Sequence, residues 1–164
     1  MLDFTIDMDT GVVNMTANEP IDPATFTSFG LAFQSAKNSF NGQGIYVTAV
    51  VSGILPVFKL HENNRAWSFT LNRADVNAIK GNSGIYNTID DCYISAYQSF
   101  VTDSNGNEMT SVNFDVFVAM QATTFLPDIS PPTLEYWVLD LNVGAVELYM
   151  SEVIFIQVST CTAV

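Results

Sequence analysis

The stretch FTIDMDTGVVNMTANEPI at residues 4–21 recurs as WVLDLNVGAVELYMSEVI at residues 137–154, at a constant offset of 133 positions. Aligned without a gap, the two copies keep apolar residues at apolar positions. The identical pairs are Asp7 with Asp140, Gly11 with Gly144, Val13 with Val146, Glu19 with Glu152, and Ile21 with Ile154. Self-similarity at a fixed spacing is typical of proteins built from tandem structural units.

Each copy has the pattern of a β-hairpin. Apolar and polar residues alternate along residues 4–9 and again along 13–17, which is the period of a half-buried strand. Between these strands, Asp9-Thr10-Gly11 supplies a carboxylate that can accept backbone hydrogen bonds and a glycine that can take a positive φ. Asn142-Val143-Gly144 supplies the same turn chemistry in the second copy.

The rest of the chain predicts an all-β fold. Short runs rich in Val, Ile, Phe and Thr recur between turn-forming segments, and the only helical pattern is NRADVNAIK at residues 72–80. Asn72 is the expected N-cap of this helix and Gly81 is expected to end it. About seven or eight mostly antiparallel strands with one short helix favour an immunoglobulin-like antiparallel β-sandwich.

Domain boundaries follow from the repeat and from a proline-rich stretch. FLPDISPPT at residues 125–133 contains three prolines, which stiffen a segment and block sheet pairing. We therefore expect an immunoglobulin-like module at residues 1–124, a linker at 125–133, and the opening strands of a second, incomplete module at 134–164. Met1 is expected to be a boundary within a longer protein, because MLDFTIDMD enters a strand pattern directly.

Charge limits the classes of partner. The formal net charge is −12, from 17 acidic and five basic residues. Such a chain is poorly suited to nucleic acids or anionic membrane surfaces, which are bound through clustered Lys and Arg. No run of about 18 apolar residues that could span a bilayer is present, so we expect no membrane insertion by this segment. An acidic surface suits cations and basic partners, and it keeps a chain soluble at high local concentration. Neighbouring copies of the chain, or adjacent modules in a filament, are the partners that we expect from the repeat.

Three parts of the sequence together resemble the tandem immunoglobulin-like repeats of large extracellular algal and protist proteins, including those of mastigoneme-type filaments. They are residues 67–107 (WSFTLNRADVNAIKGNSGIYNTIDDCYISAYQSFVTDSNGN), the linker FLPDISPPTL, and the second hairpin. More distantly, they are similar to bacterial immunoglobulin-like adhesin repeats. The resemblance implies an elongated extracellular structural or adhesive protein and implies no catalysis.

Calcium is the cofactor that the acidic turns suggest, because hard cations prefer several oxygen ligands. The candidate ligands are Asp7 with Asp9, Asp140 with Asn142, Asp103 with Asn105 and Asn107, and Asp128 in the linker. None of these groups has the distal glutamate of an EF-hand. The alternative is that these residues only stabilise tight turns through their own side chains.

The sequence contains one N-glycosylation sequon, Asn14-Met15-Thr16, with Asn14 on the polar face of its strand. Cys92 and Cys161 fall in different modules, so they are either two buried thiols or a disulfide between modules or chains. Asp9-Thr10-Gly11 imitates an aspartic-protease motif, but the equivalent position in the second copy is Asn142, which leaves no carboxylate pair. We expect no enzyme activity.

The sequence therefore predicts a structural repeat module of an extracellular filament, stalk or surface appendage, acting as a stiff spacer and assembly unit. The alternative is a calcium-dependent adhesive or glycan-binding module. Because residues 134–164 hold only opening strands, we expect them to leave an apolar face and a sheet edge that another module or chain completes.

Overall fold

A computed structural model describes residues 3–27, 30–37, 44–46, 59–60, 64–96, 100–109 and 119–154. The chain divides into two compact units, Met1–Ile129 and Ser130–Val164. The strands of the described residues are, in chain order, β1 (Asp3–Asp7), β2 (Val12–Thr16), β3 (Ile21–Asp22), β4 (Leu31–Gln34), β5 (Gly44–Tyr46), β6 (Lys59–Leu60), β7 (Ala66–Thr70), β8 (Tyr93–Ala96), β9 (Thr102–Asp103), β10 (Met120–Gln121), β11 (Thr124–Leu126), β12 (Leu134–Asp140) and β13 (Ala145–Met150).

Two sheets build the first unit. One has the strand order β11-β1-β2-β7-β6, and the other has the order β10-β8-β4-β5. All neighbours in these sheets run antiparallel except β1 and β11, which run parallel. A short antiparallel pair, β3 with β9, lies outside both sheets. The prediction of an all-β fold with mostly antiparallel strands is confirmed.

Both sheets contribute to one hydrophobic core. The alternation in β1 and β2 turns one face of each strand inward, so that Phe4 and Val13 are fully buried while Asn14 is exposed. Side chains of β7 and of the second sheet belong to the same cluster. Its largest fully buried members are Trp67, Phe4, Phe33, Phe100, Ile6, Met15, Leu31, Ile79, Ile85, Ile94 and Val13.

One helix, α1 (Arg73–Lys80), connects β7 to the segment that leads into β8. The Asn72 side chain accepts a hydrogen bond from the Asp75 backbone N–H at 2.8 Å, as expected for an N-cap. The helix ends at Gly81, which adopts φ −74° and therefore does not use the positive φ that glycine permits. The predicted bounds and cap of this helix are confirmed.

The proline-rich segment differs from its prediction as a linker over residues 125–133. Thr124–Leu126 form β11, in which Phe125 pairs with Ile6 and Leu126 pairs with Asp7. The first compact unit extends to Ile129. Pairing is possible because Pro127 follows the strand, so that no proline removes a donor within it.

The second unit contains the hairpin β12–β13, which has the register of β1–β2 shifted by 133 positions. Trp137 pairs with Leu148 as Phe4 pairs with Met15, and Asp140 pairs with Ala145 as Asp7 pairs with Val12. A register irregularity lies between Leu134 and Tyr136. The sequence repeat is thus also a repeat of strand pairing.

Candidate functional site

The first turn is held by Asp7. Its Oδ1 accepts hydrogen bonds from the backbone N–H groups of Asp9, at 2.9 Å, and of Thr10, at 3.3 Å. Asp7, the last residue of β1, thus stabilises this turn, a role that the sequence pattern assigned to Asp9 and did not assign to Asp7. Gly11 takes φ 71°, as the turn chemistry predicts.

The second turn repeats this arrangement. Asp140 Oδ1 accepts a hydrogen bond from the backbone N–H of Asn142 at 2.8 Å, and Gly144 takes φ 65°. Asp140 is the counterpart of Asp7, so the same carboxylate stabilises both turns. In each turn, the aspartate Oδ1 accepts hydrogen bonds from backbone N–H groups, which is how such residues stabilise tight turns.

In the third candidate group, at residues 103–107, the candidate ligands form hydrogen bonds with one another. Asp103 Oδ1 accepts from the backbone N–H groups of Asn105 and Asn107, both at 2.8 Å. Its Oδ2 accepts from Asn107 Nδ2 at 2.7 Å. These hydrogen bonds, led by the one from the Asn107 side chain, lower the pKa of the Asp103 carboxyl below its usual value.

Asp128 forms an ion pair. Its Oδ2 lies 2.8 Å from Lys80 Nζ at the end of α1. The contact joins the helix to the segment that follows β11, within the first unit. Asp128 thereby complements the only basic residue in the last turn of the helix.

A cavity of about 240 Å³ brings Asp103 together with acidic residues that the sequence reasoning did not select. Glu19, Glu108 and Asn107 line it beside Asp103. Their convergence depends on the β3–β9 pair and on the turn after β9, which no local pattern encodes. Within the described residues, no group of three or more His, Cys, Asp or Glu side chains is placed to hold a metal ion.

Asn14, the sequon residue, is exposed on the outer face of β2. Its Nδ2 donates a hydrogen bond to Thr5 Oγ1 at 3.1 Å. The side chain therefore points away from the core, as expected from its place on the polar face of the strand.

Cys92 is a buried free thiol. Its Sγ donates to the Thr88 carbonyl at 2.9 Å. Burial, reinforced by the nearby Asp91 carboxylate, raises the pKa of the thiol far above its ordinary value. Such a thiol is a weak nucleophile. Cys161 lies outside the described residues.

In the part of the chain that the structure describes, the second hairpin carries the largest set of exposed apolar side chains. Trp137 is 58% exposed and Leu148 is 59% exposed, whereas their counterparts Phe4 and Met15 are 0% and 1% exposed. Leu139 and Val146 complete the same face, which we call the hairpin face, and are 45% and 58% exposed. Exposed apolar patches of this kind mark interaction surfaces.

The opposite face of this hairpin carries two tyrosines. The rings of Tyr136 and Tyr149 stack with centroids 4.1 Å apart. Tyr149 donates its hydroxyl to Glu147 Oε2 at 2.9 Å, and this hydrogen bond raises the pKa of the tyrosine. In the first hairpin the equivalent pair is Asp3 and Thr16, joined by a hydrogen bond of 2.6 Å. The repeat is therefore conserved on the hairpin face and diverges on this one.

Comparisons of the chain with protein-family models, with curated proteins and with solved structures gave no match. Among the described residues, no helix has the length and apolar character needed to cross a bilayer.

Proposed function

We propose that this chain is a structural repeat unit of an extracellular filament, stalk or surface appendage, in which immunoglobulin-like modules act as stiff spacers. The observation that carries the proposal is the second hairpin. It reproduces the pairing of β1–β2 at 133 positions further along the chain and presents the same apolar positions. A chain that begins the same module twice is organised as an array.

The strand order supports the immunoglobulin-like assignment. When β1, β2, β4, β6, β7, β8 and β10 are lettered A to G in chain order, the first sheet contains A-B-E-D and the second contains G-F-C. The strands of an immunoglobulin domain are divided between its two sheets in the same way, and here β5 extends the second sheet as a further edge strand. The parallel strand β11 adds to the edge of the first sheet next to β1.

The proline content at the start of the second unit supports the spacer role. Pro131 and Pro132 lie one residue before the start of β12, separated from Leu134 by Thr133. Proline fixes φ and favours extended backbone. A short segment of this composition is a semi-rigid connector. Modules joined in this way resist changes in their relative angle, which is the property a spacer needs.

Distance measurements between spin labels test this proposal. One label is attached at Ser104→Cys in the first unit and the other at Asn142→Cys in the second, both exposed positions. Cys161→Ser removes the other cysteine, and the buried Cys92 is left in place. The proposal predicts a single narrow distance distribution.

The matched control replaces Pro131 and Pro132 with glycine in the same labelled protein. Glycine relaxes the backbone, so the distribution is expected to broaden. If the unmodified segment already gives a distribution as broad as the glycine variant, the connector is flexible and the spacer role is refuted.

A calcium-dependent glycan-binding module is the second candidate. The exposed Tyr136–Tyr149 stack beside the Glu147 carboxylate favours it, since exposed aromatic rings with an adjacent acceptor suit a sugar. Glycan-array binding in calcium and in chelator tests it. Binding that is lost in chelator and in Tyr136→Ser would favour this candidate, whereas no binding in either condition would remove it.

A further inference from the structure

The surroundings of the first hairpin specify what the second one lacks. The outer edge of β2 pairs with β7, which places Val13 opposite Phe69 and Met15 opposite Trp67. Trp67 and Phe69 are 0% and 2% exposed, so their side chains extend the buried apolar face of the hairpin across β7. The strand that completes the edge of β2 therefore carries large aromatic residues at alternate positions.

The equivalent edge of the second hairpin has no such strand in the described residues, where β13 pairs with β12 alone. The hairpin face beside it is about half exposed at each of its four positions. Unpaired strand edges next to apolar side chains are templates for strand addition. Because the register of the two hairpins is the same, the position of an added strand is also specified. Val146 would lie opposite a Phe69-like residue, and Leu148 opposite a Trp67-like residue.

Charge complementarity points in the same direction. Residues 130–164 contain Glu135, Asp140, Glu147 and Glu152 and no Lys, Arg or His. Four of the five basic residues of the chain, and its one histidine, lie between residues 59 and 80, the segment that contains β7. In the first unit, Arg65 at the start of this strand donates from Nε to the Ala17 carbonyl at 3.3 Å. The first unit thus already combines an acidic hairpin with a strand that has basic residues on both sides of it in the sequence.

The same charges disfavour pairing between two second hairpins. Two copies of β13 side by side would bring like charges together, because residues 130–164 carry acids alone as their ionised side chains. Like charges opposite one another destabilise a strand pair. The partner is therefore expected to differ from the hairpin in charge and to match it in apolar pattern.

We infer that the outer edge of β13, with the apolar side chains of the hairpin face beside it, binds a β7-type strand of a neighbouring module. This strand runs antiparallel to β13, carries large aromatic side chains at alternate positions, and is preceded by a basic residue. This inference rests on the proposed repeat-module function. It makes the second hairpin an acceptor whose register, direction and charge preference are set by the first.

Titration of the full chain with a synthetic peptide of residues 59–73 (KLHENNRAWSFTLNR) tests the inference. The peptide contains β7 and has the basic flanks of the natural segment. Amide chemical-shift changes are expected along β13, together with intermolecular contacts from Trp67 and Phe69 of the peptide to Leu148 and Val146 of the protein. Added salt is expected to weaken binding.

Two matched controls distinguish strand addition from non-specific binding. A peptide with Trp67→Ser and Phe69→Ser keeps the charge and is expected to lose binding. In the protein, Leu148→Asp is expected to weaken binding by about tenfold or more, because it places a charge in the contact. Leu141→Asp makes the same change in the exposed turn, where Leu141 is 82% exposed, and is expected to leave binding unchanged.

Absence of binding, shift changes confined to the first unit, or association of two hairpins without peptide would each overturn the inference. The spin-label test of the spacer role is independent of this one. Peptide binding combined with a broad inter-unit distance distribution would keep the acceptor edge and refute the stiff spacer. A narrow distribution without peptide binding would support the stiff spacer and refute the acceptor edge.

Discussion

The two hairpins share a register and differ in burial. In β1–β2 the apolar face lies in the core of a module, and in β12–β13 the same face is about half exposed at every position. The turn geometry does not change with this difference, since Gly11 and Gly144 have φ 71° and 65° and the preceding aspartate caps both turns. Local chemistry therefore specifies the hairpin and its turn, and the tertiary surroundings determine whether its apolar face is buried.

Truncation of the matched apolar positions separates the two hairpins most strongly. Phe4→Ala removes a fully buried ring and is expected to lower the free energy of unfolding of the first unit by about 3–5 kcal/mol. Trp137→Ala at the counterpart position is expected to change the stability of its own hairpin by no more than about 0.5 kcal/mol, because that side chain is 58% exposed. Urea unfolding for the first unit and amide exchange for the second provide the measurement, and comparable losses would contradict the assignment of burial.

The matched glycines give the next largest difference. Alanine at Gly11 would adopt a strained positive φ, and its Cβ would lie 2.8 Å from Val76 Cγ2. Alanine at Gly144 has the same strain but nothing within 4 Å. We expect Gly11→Ala to destabilise the first unit by about 3 kcal/mol and Gly144→Ala to destabilise its hairpin by about 1–2 kcal/mol.

Urea unfolding for the first unit and amide exchange for the second check the glycine prediction. Gly106, which has φ 83° and open space around it, is the matched control within the first unit. Gly106→Ala is expected to show the strain without the clash. A larger loss at Gly144 than at Gly11 would show that contacts to α1 do not constrain the first turn.

Removal of the aspartate side chain that stabilises the turn is expected to have a similar effect in the two hairpins. Asp7→Ala removes two turn hydrogen bonds, of which the one from Thr10 is long at 3.3 Å, and Asp140→Ala removes one. Each substitution is expected to cost about 1 kcal/mol. Asparagine at either position keeps an Oδ1 acceptor and should cost less. Exchange rates of the amides of Asp9 and Asn142 report the effect, and a severalfold difference between the two sites would mean that the turns are not governed locally.

The smallest effect concerns the face on which the hairpins diverge. The hydrogen bond from Tyr149 to Glu147 raises the pKa of the tyrosine above its ordinary 10.0. The corresponding stabilisation is fully present below the unfolded-state pKa and is lost as pH rises through the folded-state pKa. Glu147→Gln is expected to move the pKa down toward 10.0, as followed by NMR of the tyrosine ring carbons. An unchanged pKa would show that this hydrogen bond is not formed in solution.

Local signals in the sequence predicted the elements that depend on local chemistry. The Asn72 cap and the apolar spacing of residues 73–80 were enough to place α1, and alternation with a glycine turn was enough to place both hairpins. The role of Asp7 in the first turn could not be predicted in the same way, because Asp7 and Asp9 offer the same carboxylate and the backbone path determines which N–H groups each one reaches.

Long-range pairing could not be read from such signals. β11 lies next to Pro127, and its pairing with β1 depends on a contact between residues about 120 positions apart. The cavity that joins Glu19 to Glu108 depends likewise on β3–β9 pairing.

Amide hydrogen exchange along β2 and β13 tests the central claim most directly. β2 is paired on both edges, by β1 and β7, so all its interior amides are expected to be protected. β13 is paired with β12 on one edge, so protection is expected to alternate between slow and fast amides along Ala145–Met150. Uniform protection of β13 in the isolated chain would mean that its edge is already occupied, and it would contradict the account of an acceptor hairpin.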